Sequence, residues 1–163
     1  SDKGIDTLRK GQNSFVGGCT SKLALAFCNV MKLFGMGQHK FPPIQAEYES
    51  RLIIISNDNR AYLEQELNGK IVETAGHTSD SISLLLNNGY LFCGDAAMNG
   101  FPSKHNITIW AEDKVAFLQS WQKIITLQPT KIFSGHGKPF NVQILKRNIG
   151  FVENIKLHAL KHK

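Results

Sequence analysis

The stretch "ETAGHTSDSISLLLNNGYLFCGDAA", residues 73–97, places a histidine and an aspartate directly after glycines, beside short apolar runs. The runs "SISLLL" and "YLFCGD" are joined by "NNG", which is typical of a β-hairpin turn. Glycine lets the backbone turn sharply at the end of a strand, so the next side chain projects over the edge of the sheet. The stretch therefore predicts strands that present His77 and Asp95 at one sheet edge.

A third segment, "KIFSGHG" at residues 131–137, repeats this pattern and ends on His136. Imidazole and carboxylate are ligands that borderline-soft divalent metals prefer. Each residue alone has an ordinary interpretation, since a single histidine commonly forms a loop hydrogen bond and a single aspartate commonly caps a turn. The threefold repetition of strand, glycine and ligand favours a metal site.

The rest of the chain alternates between strand and helix patterns. Ser21 is a predicted N-cap for the helix "KLALAFCNVMKLF", which Gly35 ends and which is apolar enough to be a buried helix or an interface. Two more helices are predicted, from about Asp113 to Gln128 and from about Asn141 onward, both with apolar residues at helical spacing. The segments "RLIIIS" (51–56) and "KIVETAG" (70–76) are predicted strands.

This order predicts one α/β (α+β) domain over residues 1–163, with helices on one face of the sheet. Residues 1 to about 50 form a helical and loop region, and about 51–163 form a β-rich region with two C-terminal helices. The strands are almost continuously apolar, which indicates that the other sheet face packs against a second layer.

Composition excludes several classes of protein. The chain has 163 residues, 42% of them hydrophobic, and no uncharged apolar run reaches the roughly 18 residues of a membrane span. It shows no signal-peptide pattern, so we expect a cytoplasmic protein with no membrane partner. The three cysteines are odd in number and form no CxxC pair, which favours reduced, buried thiols. The formal charge of +6 could attract nucleic acid, but no nucleic-acid-binding motif accompanies it.

The segments "TAGHTSDSISLLL", "LFCGDAAMNGFP" and "IFSGHGKPF" together resemble the later metal-binding motifs of the metallo-β-lactamase superfamily of metal-dependent hydrolases. The resemblance runs from about Lys70 to Phe140. It implies an αβ/βα sandwich, of which this chain would form mainly the second half, with a mixed or antiparallel sheet.

The resemblance also implies roles for single residues. His77 matches a ligand of the first metal site, Asp95 the catalytic carboxylate that bridges two metals, and His136 a ligand of the second site. Two zinc-type ions would activate a water for attack on an ester-, thioester-, lactam- or phosphodiester-like bond. Around them, Thr78 and Ser81 would support the ligands or form the turn. Lys138 would lie near the mouth of the site, where it could meet an anionic small-molecule substrate or simply be exposed.

One family motif, HxHxDH, is absent, because His39 is the one histidine before His77. We expect that the chain starts downstream of this motif, binds metal weakly or not at all, and is inactive or impaired as a hydrolase by itself. A half sandwich would also expose the inner face of its sheet, so we expect self-association or pairing with a missing N-terminal half. The alternatives are a non-catalytic half-domain that acts in assembly and, third, a nucleic-acid-binding protein.

Overall fold

A computed structural model describes residues 2–13, 16–36 and 40–160 of the protein. The helices within these ranges are α1 (Asp2–Lys10), α2 (Lys22–Leu33), α3 (Ala46–Glu49), α4 (Asn57–Glu66), α5 (Lys114–Leu127) and α6 (Val142–Glu153). The strands are β1 (Gly18–Cys19), β2 (Gly69–Glu73), β3 (Ile82–Leu86), β4 (Tyr90–Gly94), β5 (Trp110–Ala111) and β6 (Lys131–Ser134).

The main sheet has four strands in the order β2-β3-β4-β6. Its first two pairs are antiparallel, and β4 runs parallel to β6. Leu84 of β3 lies opposite Phe92 of β4, with the turn at residues 87–89 between the two strands. The mixed sheet and the "NNG" hairpin predicted from the sequence are both confirmed.

Helices α5 and α6 cover one face of this sheet. Leu91 and Ile132 point into a core that both helices complete, and Trp121 of α5 is fully buried there. The indole N–H of Trp121 donates a hydrogen bond to the Ala96 carbonyl at 2.8 Å, so the core also holds the chain that follows β4. The prediction of helices on one sheet face is confirmed.

The opposite sheet face carries exposed aromatic side chains. Tyr90 and Phe92 are 38% and 45% exposed, and Phe92 stacks on Phe133 with ring centroids 4.9 Å apart. These three residues define what we call the aromatic face. The second layer that the apolar strands predicted over this face is not present among the described residues.

The predicted helix boundaries follow from side-chain caps. The Ala24 N–H donates to Ser21 Oγ at 3.0 Å at the start of α2. Asp113 and Asn141 accept equivalent bonds at the starts of α5 and α6. Each cap gives an otherwise unpaired backbone N–H a partner, which stabilises the first turn by about 1 kcal/mol.

The prediction of a strand at residues 51–56 was wrong. No strand forms there, and Ile53 is 68% exposed. Helix α4 follows directly and lies along the edge of β2, where the Ile71 N–H donates to Glu64 and Arg60 donates to the Ile71 carbonyl. Side chains of α4 thus occupy the edge that another strand would have needed.

Helix α2 is an amphipathic surface helix and not a buried core helix. Its one fully buried residue is Ala24, whereas Val30 and Leu33 are 50% and 85% exposed. Ala24 packs with Cys19, Trp110 and Leu160 in a second, smaller core beside β1 and β5. None of the helices in the described ranges has the length and apolar character needed to cross a membrane.

The three cysteines carry free thiols, as the sequence indicated. Cys19 and Cys93 are buried and Cys28 is half-buried. The Cys19 thiol donates a hydrogen bond to the Cys28 sulfur, which lowers the pKa of Cys28 to about 7. Of the two thiols, Cys28 is the one whose pKa this contact lowers.

Candidate functional site

His77 is held by a tight turn between β2 and β3. Gly76 has φ 134°, a backbone conformation that side chains rarely adopt, and a Cβ there would collide with the backbone of Phe117. The Gly76 carbonyl accepts hydrogen bonds from the N–H groups of Glu112 and Asp113, at 2.8 and 3.1 Å. The turn is thereby tied to the start of α5, which fixes the position of the next side chain.

Asp95 follows β4 at an irregularity between Phe92 and Gly94, where the register with β6 shifts. The Gly135 N–H donates to the Gly94 carbonyl at 2.8 Å, which brings the ends of β4 and β6 together. A Cβ on Gly135 would lie 2.8 Å from Asp95 Oδ1, so any other residue here would displace the Asp95 carboxylate. His136 comes next in the chain, and its carbonyl accepts from the Asn99 N–H at 3.0 Å.

The three predicted ligands converge at this edge of the sheet. The Nε2 atoms of His77 and His136 lie 3.7 and 3.8 Å from the same carboxylate oxygen, Asp95 Oδ2. The side chains of His77 and Asp95 are about one quarter exposed, and that of His136 is more open, at 62%. The carboxylate lies between the two imidazoles with access to solvent, which is an arrangement suited to a bound cation.

Hydrogen bonding orients the His77 ring for ligation. Nδ1 lies 2.9 Å from the Trp110 carbonyl, which can only accept, so Nδ1 carries the proton in the neutral ring. Nε2 is then left with a free lone pair directed at Asp95. Metal-binding histidines commonly have this second hydrogen bond, because it fixes both the tautomer and the ring orientation.

Asp95 has a buried oxygen without a partner. Oδ1 is shielded from solvent and accepts no hydrogen bond, and it is the one buried side-chain polar atom of this kind found among the described residues. Leaving a buried polar atom unpaired is costly, and more so for a charged group. A cation beside the carboxylate would compensate this cost.

The donor set fits a divalent ion in its chemistry and only partly in its geometry. Two ligands each about 2.1 Å from a tetrahedral ion are about 3.4 Å apart, slightly closer than the 3.7 and 3.8 Å found here. Accordingly, no group of three His, Cys, Asp or Glu side chains in the described ranges is arranged as a ready metal site. Ligation would require the three side chains to move closer together, and a closed zinc site usually has a fourth ligand.

The remaining predicted residues take different positions. Thr78 and Ser81 hydrogen-bond to each other through their hydroxyls at 2.7 Å, so they form the turn, and Thr78 also borders the cavity above the ligands. Lys138 is exposed and does not border that cavity; its carbonyl accepts from Asn99 Nδ2 at 2.7 Å. His39 lies outside the described residues.

Several residues of the site were not identified from the sequence. Trp110 contributes its backbone carbonyl, a group for which a side-chain pattern carries no signal. Thr108 Oγ1 lies 3.5 Å from His77 Nδ1. A cavity of about 960 Å³ opens over the three ligands, and α2 supplies part of its wall. The apolar character of α2 was visible in the sequence, but its position beside the ligands was not.

Known proteins give an independent view of this arrangement. A beta-lactamase-like protein 2 homolog from Drosophila melanogaster is 30% identical over 156 residues, which are 91% of this chain and 49% of that protein. A hydroxyacylglutathione hydrolase from Glaesserella parasuis is 31% identical over 87 residues, 53% of this chain and 33% of that enzyme. The crystal structure of a metallo-β-lactamase from Erythrobacter litoralis matches 78% of this chain and 60% of its own, with a TM-score of 0.50 and 22% identity.

The chain belongs to the metallo-β-lactamase superfamily. No protein-family model matches it. The chain spans about half of the length of the Drosophila relative and about one third of the length of the Glaesserella enzyme. The structural match supports the fold at the level of a partial metallo-β-lactamase-like domain, and members of this superfamily bind divalent metals.

Proposed function

We propose that the chain carries part of the active site of a metal-dependent hydrolase, in which His77, Asp95 and His136 hold zinc-type ions. Two ions are expected in an intact site, and this chain alone binds metal weakly and is impaired in catalysis. The observation that supports this most directly is the carboxylate of Asp95, with one buried, unpartnered oxygen and the other facing two imidazole nitrogens.

The residues of the chain have separable tasks in this proposal. His77, held by the Trp110 carbonyl, presents the unprotonated Nε2 as a neutral ligand for a metal ion. Asp95 supplies the negative charge of the site and can accept a proton from a water at its Oδ2. His136 is more exposed and completes the group from the solvent side. When bound, divalent ions lower the pKa of a water and polarise a carbonyl or phosphoryl oxygen.

The similarity to a hydroxyacylglutathione hydrolase favours thioesters and the related esters among the four bond types, since an acylglutathione is a thioester. We propose thioesters and esters as the first substrates to test, ahead of lactams and phosphodiesters.

Zinc binding tests the proposal. The purified chain is titrated with zinc against a chromogenic chelator, and its metal content after desalting is measured by mass spectrometry. We expect weak binding that is lost in His77→Ala and in Asp95→Ala. The matched control is His105→Ala, which removes an imidazole that stacks on Phe151 and does not border the cavity. Equal zinc affinity in all four proteins would contradict the proposal.

A second candidate, a non-catalytic part that acts in assembly, is favoured by the aromatic face of Tyr90, Phe92 and Phe133. An absence of zinc binding together with stable self-association would support it. Nucleic-acid binding would require retention on a nucleic acid column that decreases steeply with salt.

A further inference from the structure

The cavity above the three ligands is lined mainly by apolar side chains. Phe27 and Met31 project from α2, Met98 and Phe101 from the segment after β4, and Ile109 and Trp110 from the region of β5. His77, Asp95 and His136 lie among its lining residues. Its volume of about 960 Å³ is in the range of sites for small organic ligands, which are mostly apolar with a few polar groups.

Two aromatic rings connect opposite parts of this wall. Phe27 and Phe101 meet edge to face, with ring centroids 6.0 Å apart. Phe101 is nevertheless 80% exposed. Phe101 therefore extends the apolar wall of the cavity towards solvent.

The charges around the cavity do not suit a highly anionic ligand. Lys40 is the one lysine or arginine among the described lining residues, and it is accompanied by the carboxylates of Asp95 and Glu112. Glu112 accepts a hydrogen bond from the Ser79 N–H at 2.6 Å and remains in place. Ligands with several phosphates or carboxylates need an excess of cations, which the side chains of this wall do not supply in the metal-free chain.

We infer that the cavity binds an apolar acyl or alkyl chain of the substrate, next to the bond that is cleaved. This inference rests on the proposed hydrolase function for the position of the bond, but binding of the chain itself needs only the cavity wall. Each methylene transferred from water into the cavity should strengthen binding roughly threefold to fourfold.

Neutral amides test the inference without metal. Butanamide, hexanamide and octanamide are titrated into the 163-residue chain in the presence of a chelator, and binding is followed by tryptophan fluorescence and calorimetry. Trp110 lines the cavity and should report binding, whereas Trp121 is buried in the main core. We expect the dissociation constant to fall about tenfold for every two methylenes. An affinity that does not change along the series would overturn the inference.

Two variants and one control place the site. Met31→Glu and Phe101→Ser should each weaken octanamide binding by roughly tenfold, the first by placing a charge in the apolar wall and the second by removing an aromatic contact. The exposure of Phe101 makes the second variant compatible with folding. The control is Leu33→Glu, also on α2, where the side chain is 85% exposed and does not line the cavity. Circular dichroism checks that the variants are folded. Unchanged octanamide binding in both folded variants would refute the assignment.

The outcomes separate this inference from the hydrolase proposal. Amide binding without zinc binding would leave the apolar cavity standing and remove the metal site. Zinc binding without amide binding would support the metal site and overturn the apolar cavity as a ligand site. Displacement of the amide by a single-stranded oligonucleotide at low salt would contradict an acyl ligand and favour nucleic acid.

Discussion

Replacing Asp95 with asparagine should stabilise the metal-free protein while it weakens the metal site. Asp95 Oδ1 is buried without a hydrogen-bond partner, and Oδ2 lies too far from the nearest imidazole nitrogens, at 3.7 and 3.8 Å, to bond to them. The folded chain therefore holds a poorly compensated negative charge. Asp95→Asn keeps the shape of the side chain and removes that charge.

The size of the effect follows from the surroundings of the carboxylate. A buried unsatisfied polar atom costs about 1–3 kcal/mol, and a charged one costs more. The asparagine amide leaves the same buried position unpaired, so Asp95→Asn removes only the added cost of the charge. Since the Asp95 side chain is still 28% exposed, water screens part of that cost, and we expect a gain of about 1 kcal/mol. For a chain of 163 residues this corresponds to a rise in Tm of about 2–4 °C.

Urea unfolding with a chelator measures this gain, and a second series with excess zinc measures the function of the carboxylate. Zinc at one hundred times its dissociation constant should add about 2.7 kcal/mol to the free energy of unfolding of the unmodified chain, and much less to Asp95→Asn. The control is Glu153→Gln, which makes the same change of net charge at an exposed residue at the end of α6.

The reasoning would be refuted if Asp95→Asn lowered the metal-free stability, since the carboxylate would then have a stabilising partner. It would also fail if Glu153→Gln gave the same gain, because the effect would then come from net charge. A general decrease in acidic charge on a chain of +6 should, if anything, destabilise it.

Three further predictions concern the rest of the molecule. Trp121→Ala should lower the free energy of unfolding, measured by urea denaturation, by about 3–5 kcal/mol. The substitution empties a fully buried site and removes the indole N–H that pairs with the Ala96 carbonyl. A loss below about 1 kcal/mol would contradict this packing. The rate of alkylation of Cys28 by iodoacetamide should increase with pH and reach half of its maximum near pH 7, because the thiolate forms above a pKa of about 7. Cys28→Ser is the control. A midpoint near pH 9 would disprove the hydrogen bond from Cys19. Light scattering of the purified chain should show self-association that Phe92→Thr reduces, if a second copy covers the aromatic face; a monomer at all concentrations would exclude this.

The sequence was sufficient for elements with strong local signals. Ser21, Asp113 and Asn141 predicted the starts of α2, α5 and α6, because an N-cap acts on the backbone of its own next residues. The "NNG" turn predicted the β3–β4 hairpin for the same local reason.

Local signals were misleading where the outcome depended on a distant partner. "RLIIIS" has the composition of a strand, but α4 occupies the nearest sheet edge through Arg60 and Glu64. Helix α4 itself is mostly polar and has no apolar periodicity to predict it. β1 and β5 are two residues each, too short for any pattern to reveal.

The candidate site divides in the same way. The repeated glycine and ligand pattern was enough to single out His77, Asp95 and His136, since a strand end and a glycine are local features. The sequence could not show that the Trp110 carbonyl orients His77 from 33 residues away, that Asp95 Oδ1 has no partner, or that Phe27 and Phe101 meet over the ligands. These contacts join segments far apart in the chain, and their distances depend on how the helices and the sheet pack, so only the tertiary structure decides them.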